Sequence, residues 1–184
     1  MAVISLGGIV VSESLRVGGD KFDEAIIRYV KRHFDLAIGE QTAEDLKVRI
    51  GTCFPQSEEL SMEIRGRDLV RGLPRQVTIT SKDVAKAIEE SIGTIIGGIR
   101  RVLELTPPEL AADIIDRGII LTGGGALLRG LPELITQQTE INAIVADSPL
   151  ECVALGTGKA LQALDKLKES GTVLSAVRRG GRRR

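Results

Sequence analysis

Two short apolar runs, residues 3–6 and 9–11, open the chain and are separated by Gly7-Gly8. Strand-like runs joined by two glycines predict a β-hairpin, because glycine reaches the positive φ angles that tight hairpin turns require. A third strand is expected over 15–17, ended by Gly18-Gly19. Phe22, Ile26, Ile27, Val30 and Phe34 then recur at helical spacing and predict a helix over 21–34 with Asp20 as its cap. A second helix fits 42–50, with Thr42 as N-cap, Asp45 three residues later and Gly51 just past its end. Residues 61–65 and 75–80 alternate polar and apolar positions, with Met62, Ile64, Val77 and Ile79 on one face. That alternation predicts half-buried antiparallel strands. Residues 20–80 thus read as a small α+β unit.

The longest apolar stripe follows. Val84, Ile88, Ile92, Ile95, Ile96, Ile99, Val102 and Leu103 predict one helix over 81–105. Gly93, Gly97 and Gly98 interrupt it at about 1 kcal/mol each relative to Ala; they either admit a close neighbour or simply weaken the helix. Thr106-Pro107-Pro108 ends that helix and starts another over 107–117, which stops at Gly118. An apolar run at 119–122 is of buried-strand length. Three glycines, a short helix at 126–128, a helix from about 132, a strand at 143–146 and a final helix over 150–168 complete the pattern. Strand, helix, strand, helix predicts parallel α/β architecture.

Composition narrows the function classes. The chain has 184 residues, 42% hydrophobic and 27% charged, which excludes a wholly disordered chain. Two cysteines exclude a disulfide scaffold. The apolar runs are too short for a membrane-spanning helix, and the N-terminus lacks the basic region of a signal peptide, so the cytosol is the expected compartment. The zero formal charge conceals an asymmetry. Residues 178–184 hold five arginines, leaving 20 basic against 25 acidic residues in 1–177. Residues 171–184 are expected to form a flexible Arg-rich tail; it could touch anionic lipid or nucleic acid, or be a solvated tail without a specific role. Aromatic residues are only 2% (Phe22, Tyr29, Phe34, Phe54), which argues against a base-stacking RNA-binding sheet.

Three segments could carry chemistry. In Leu121-Thr122-Gly123-Gly124-Gly125-Ala126-Leu127-Leu128 a buried strand ends in glycines and a helix begins. Without Cβ atoms a flat ligand can approach the backbone, and helix-start amides can meet an anion; the alternative is a tight turn with no ligand. Glu44 and Lys47 lie at i and i+3, so an acid and a base share one helix face. They could jointly hold hydroxyls or a ring nitrogen, or form a solvated surface ion pair. Gly156 and Gly158, in Ala154-Leu155-Gly156-Thr157-Gly158, flatten one helix face for close packing. A single histidine, His33, offers no catalytic dyad, and Cys53 and Cys152 lack the spacing of a zinc site.

Taken in order, the segments at 2–10, 18–26, 44–47, 121–128 and 154–158 resemble the MreB family of bacterial actin-like rod-shape proteins, over about residues 2–170. Arg49 departs from the family, which often carries Glu there, and so does the Arg-rich tail. The resemblance implies an actin-like (ribonuclease H-like) ATPase fold of α/β class, of which this chain would be the second lobe. Residues 1–19 and 81–170 would form its large subdomain and 20–80 an inserted small one. Gly123, Gly124, Gly125, Ala126 and Leu127 would face ATP, and Glu44, Asp45, Leu46 and Lys47 would contact its adenosine. No catalytic residue and no metal ligand is implied in this chain. The family's phosphate loops and carboxylates around Mg²⁺ would come from elsewhere, so the chain alone is expected to be inactive as an ATPase. Filaments, the cell-wall elongation machinery and, through segments not in this chain, the inner membrane are the implied partners; the full-length filaments would be cytoplasmic and membrane-associated. Nucleic acid is not an expected partner. The rival readings are an actin-fold phosphotransferase or chaperone ATPase fragment, and a stand-alone polyanion-binding regulatory protein.

Overall fold

A computed structural model describes residues 1–54 and 59–162. Strands β1 (Ala2–Ser5) and β2 (Gly8–Ser12) pair antiparallel. Leu6 and Gly7 both adopt positive φ (50° and 77°) between them, as a two-residue hairpin turn of the I′ kind requires. Residues 15–17, expected as a third strand, are not one: Gly18 already begins the helix cap, and the segment makes no ladder.

Helix α1 spans Gly19–Phe34 and buries Phe22, Ala25, Ile26 and Val30. Its N-cap is Gly18, with no side-chain cap, so Asp20 sits inside the first turn as a favourable negative charge. Asp35, in the left-handed region, ends the helix and turns the chain into the two-residue strand β3 (Leu36–Ala37). Helix α2 (Glu40–Ile50) starts two residues before the expected Thr42, from Gly39. Ala43, Leu46 and Ile50, spaced three and four apart, form its buried stripe. Strands β4 (Ser61–Asp68) and β5 (Pro74–Thr80) pair antiparallel with Met62 opposite Ile79 and Ile64 opposite Val77, and β3 pairs on the other edge of β4.

Helix α3 (Ser81–Glu104) follows β5 without a loop. Thr80 and Asp83 form a reciprocal capping box, satisfying two of the orphan donors of the first turn. Of the three α3 glycines, Gly98 is the one under a close neighbour: a Cβ there would lie 2.6 Å from Leu15 Cδ1, whereas Gly93 faces open space. The hairpin is held at the same end of α3, where Arg101 pairs with Glu13 at 2.6 Å and the terminal ammonium of Met1 donates to the Glu13 carbonyl.

Helix α4 (Pro108–Arg117), strand β6 (Ile119–Leu121), a 3₁₀ turn (Gly124–Leu127), helix α5 (Leu131–Thr139) and strand β7 (Ala143–Val145) come next. β6 and β7 are parallel, joined through the crossover helix α5, as the alternating pattern predicts. Helix α6 covers Cys152–Gln162; the rest of the expected final helix and the Arg-rich tail lie outside the described residues. Among the described residues one core cluster runs from Phe22, Ile26 and Leu46 through Ile79, Val84, Ile88 and Ile92 to Leu128, Leu131 and Ile135. The apolar stripe of α3 thereby serves the 20–80 segment on one part of its length and the β6–α5–β7 segment on another.

Candidate functional site

The glycine segment leaves β6 at Leu121 and is pinned at once, because Gly123 N–H donates to the Pro149 carbonyl at 2.7 Å. Gly123 has φ 85° and ψ 170°, a backbone conformation available essentially only to glycine. Its open Cα surface is matched at Gly125: a Cβ at either position would meet nothing within 4 Å among the described residues, while one at Gly124 would touch Leu150. Ala126 is buried and anchors the 3₁₀ turn, and Leu127 is exposed at 55%. The arrangement is a strip of bare backbone beside an apolar side chain. It suits the face of a flat ring, with the Gly124 and Gly125 amides, which have no backbone partner among the described residues, available to an acceptor.

Helix α2 carries the second candidate segment. Leu46 is fully buried in the core, so its side chain anchors the helix and faces no ligand. Glu44 is exposed and Asp45 is half-buried. Lys47 does not pair with Glu44 as the i, i+3 spacing would allow. Its ammonium lies 2.7 Å from Asp23 Oδ2 on α1 and 3.4 Å from the Gly19 carbonyl. Both side chains of this pair are largely withdrawn from solvent, at 16% and 15% exposure. A solvated surface ion pair is therefore not what Lys47 makes.

The two segments meet at Arg129, two residues past the 3₁₀ turn. Its guanidinium donates to the carbonyls of Arg49 (2.9 Å) and Gly51 (3.1 Å) at the C-terminus of α2. There a positive charge also complements the helix dipole. The Arg129 carbonyl in turn accepts from Cys53 N–H at 3.0 Å, and Thr52 bridges to it. The end of α2 and the exit of the glycine turn thus hang from one junction. Among the described residues no hydrogen bond or ion pair links Glu44 or Lys47 directly to 123–127. Cys53, half-buried at the junction, has its thiol pushed up to about 12 by desolvation.

A groove of about 780 Å³ lies elsewhere, between α3 and the Thr52–Phe54 and α5 segments, lined by Ile92, Gly93, Ile96 and Leu134. It contains none of the expected site residues. Among the described residues no cluster of three or more His, Cys, Asp or Glu could hold a metal ion, and no helix is long and apolar enough to cross a membrane. His33 sits on the surface, its ring stacked on Tyr29 at 4.0 Å. Gly156 and Gly158 lie on α6, where a Cβ would meet nothing within 4 Å among the described residues.

Sequence reasoning missed Asp23 and Arg129. Asp23 stands 24 residues from Lys47, and Arg129 about 80 from its α2 partners, so no local spacing announces either contact.

The MreB/Mbl protein family matches residues 1–169. The chain is 52% identical over 167 residues to the cell shape-determining protein Mbl of Bacillus subtilis, covering 91% of this chain and 50% of that protein. It is 50% identical over 165 residues to the cell shape-determining protein MreB of Escherichia coli, covering 90% and 48%. The crystal structure of MreB5 of Spiroplasma citri bound to AMPPNP superposes with a TM-score of 0.85 at 39% identity, over 92% of this chain and 51% of that one. The chain therefore spans about half the length of the curated relatives it matches.

Proposed function

The chain belongs to the MreB/Mbl family and has its actin-like fold, and from that premise we propose that it is a cell-shape-determining cytoskeletal protein that binds ATP and works within filaments. The observation that carries the reading is the Cβ-free surface at Gly123 and Gly125, in a chain that superposes on an AMPPNP-bound relative. ATP would lie with its adenosine across Gly123–Leu127 and reach Glu44 and Lys47 on α2. Asp45 would contribute to the same contact, and Leu46, buried in the core, would serve by fixing that helix. Mg²⁺ would accompany the nucleotide, held by its phosphates and by groups outside this set. Residues 20–80 would act as a small subdomain inserted into a larger one made of 1–19 and 81–170, with α3 as their common wall. The filament would guide the cell-wall elongation machinery beneath the inner membrane.

Co-sedimentation with full-length Mbl of Bacillus subtilis tests this. The chain should enter the pellet with the filaments when ATP is present and stay in the supernatant without it. Recovery in the supernatant under both conditions would refute the filament reading. Salt-sensitive binding to a polyanion in place of pelleting would instead favour the regulatory alternative.

A further inference from the structure

Lys47 is the only cation of the proposed adenosine contact, yet it is not free. Its ammonium has three donors on a flexible stem. One is taken by Asp23 Oδ2 at 2.7 Å and a second points to the Gly19 carbonyl at 3.4 Å. Two fixed partners on α1 leave one proton and one direction for it. The pair has no net charge, and Glu44, one turn earlier on α2, adds a negative one. A phosphate would gain little there. An uncharged hydroxyl, which accepts from an ammonium and donates to a carboxylate such as Glu44, matches the chemistry.

The second observation is Asp23 Oδ1. It is buried and has no hydrogen-bond partner among the described residues, although the other oxygen of the same carboxylate is paired. A buried acceptor without a donor destabilises the fold, and a half-buried ion pair is commonly no better for stability than apolar side chains of the same volume. The pair is thus poorly explained as a stabilising device and well explained by what it aims.

We propose that Asp23 is a positioning residue: it neutralises Lys47 and directs its remaining proton at a ribose hydroxyl, so that the α2 wall selects the ribose of adenosine rather than its phosphates. The proposal rests on the adenosine site described above. Asp23 itself touches no ligand.

The test is an NMR titration of the full 184-residue chain with adenosine, 2′,3′-dideoxyadenosine and inorganic triphosphate, for the wild type, Asp23→Asn, Lys47→Ala and the double variant. Asp23→Asn keeps the shape and removes the charge. It should weaken adenosine roughly tenfold, the scale of one hydrogen bond to a charged group, leave dideoxyadenosine unchanged, tighten triphosphate and leave the Tm the same or higher. Lys47→Ala should weaken adenosine to a similar degree, and the double variant no further. An equal loss for adenosine and dideoxyadenosine would overturn the proposal. So would unchanged adenosine binding in Asp23→Asn alongside a loss in Lys47→Ala, which leaves the adenosine site standing. Unchanged binding in Lys47→Ala would bring down the site and the proposal together. If Asp23→Asn does not fold, Asp23→Ser removes the carboxylate without burying an amide, and the same comparisons apply.

Discussion

The α2 segment and the glycine segment are two walls of one proposed site, built on opposite principles. The glycine wall offers backbone alone: its side chains are missing where a ligand would lie, and its one unusual conformation, at Gly123, is paid for by having no Cβ. The α2 wall offers side chains on a helix that is held from behind. Leu46 anchors the helix in the core, Asp23 and Gly19 hold Lys47, and Arg129 holds the helix end. A backbone wall recognises shape and tolerates no added atoms. A side-chain wall recognises chemistry and depends on residues that never touch the ligand.

The contrast can be broken first at its deepest support. Leu46→Ala removes a fully buried side chain from the α2 wall and should cost about 2–5 kcal/mol in chemical denaturation. Next come the glycines. Gly123→Val forces a branched residue into a glycine-only conformation and should cost about 1–3 kcal/mol while abolishing nucleotide binding. Gly125→Val meets open space, so calorimetry should find the Tm nearly unchanged while nucleotide titration finds binding lost. A Gly125→Val variant that binds normally would remove the glycine wall from the site.

Arg129→Ala cuts the junction between the walls without changing any residue at 44–47 or 123–127. It leaves the Arg49 and Gly51 carbonyls without their donor, costing about 1–3 kcal/mol. It should also unmask Cys53. With its thiol held up to about 12, Cys53 is almost wholly protonated at pH 8 and should resist alkylation in the folded wild type. Faster labelling in Arg129→Ala, followed by mass spectrometry, reads the opening of the junction.

The smallest effect lies at the end of β4. Asp68 is held below its ordinary range by the backbone N–H groups of Arg71 and Val70 and by Arg75. Its folded value is below the unfolded one, so the stability it lends is complete above about pH 4 and disappears as pH falls through the folded value. Stability curves between pH 6 and 2 should fall less steeply for Asp68→Asn.

Legibility in the sequence follows the same division. Helices α1 and α3, the β4–β5 pair and the parallel β6–β7 pair follow from the spacing of Phe22, Ile26 and Val30, of Val84, Ile88 and Ile92, and of Met62, Ile64, Val77 and Ile79. Those contacts are local or set by period. The glycine strip was visible as missing side chains. The partner of Lys47 was not, because Glu44, three residues before it, competes on paper with a carboxylate on another helix, and only packing decides between them. Residues 15–17 read as a strand from their apolar ends, but Leu15 spends its side chain against Gly98 instead.

One measurement bears most directly on the claim that α2 and the glycine turn form a single nucleotide site. In an ATP titration followed by ¹⁵N–¹H NMR on the full chain, amides at Glu44–Lys47 and at Gly123–Leu127 should shift together and fit one dissociation constant. Shifts confined to one wall, or centred on the groove lined by Ile92 and Leu134, would contradict it.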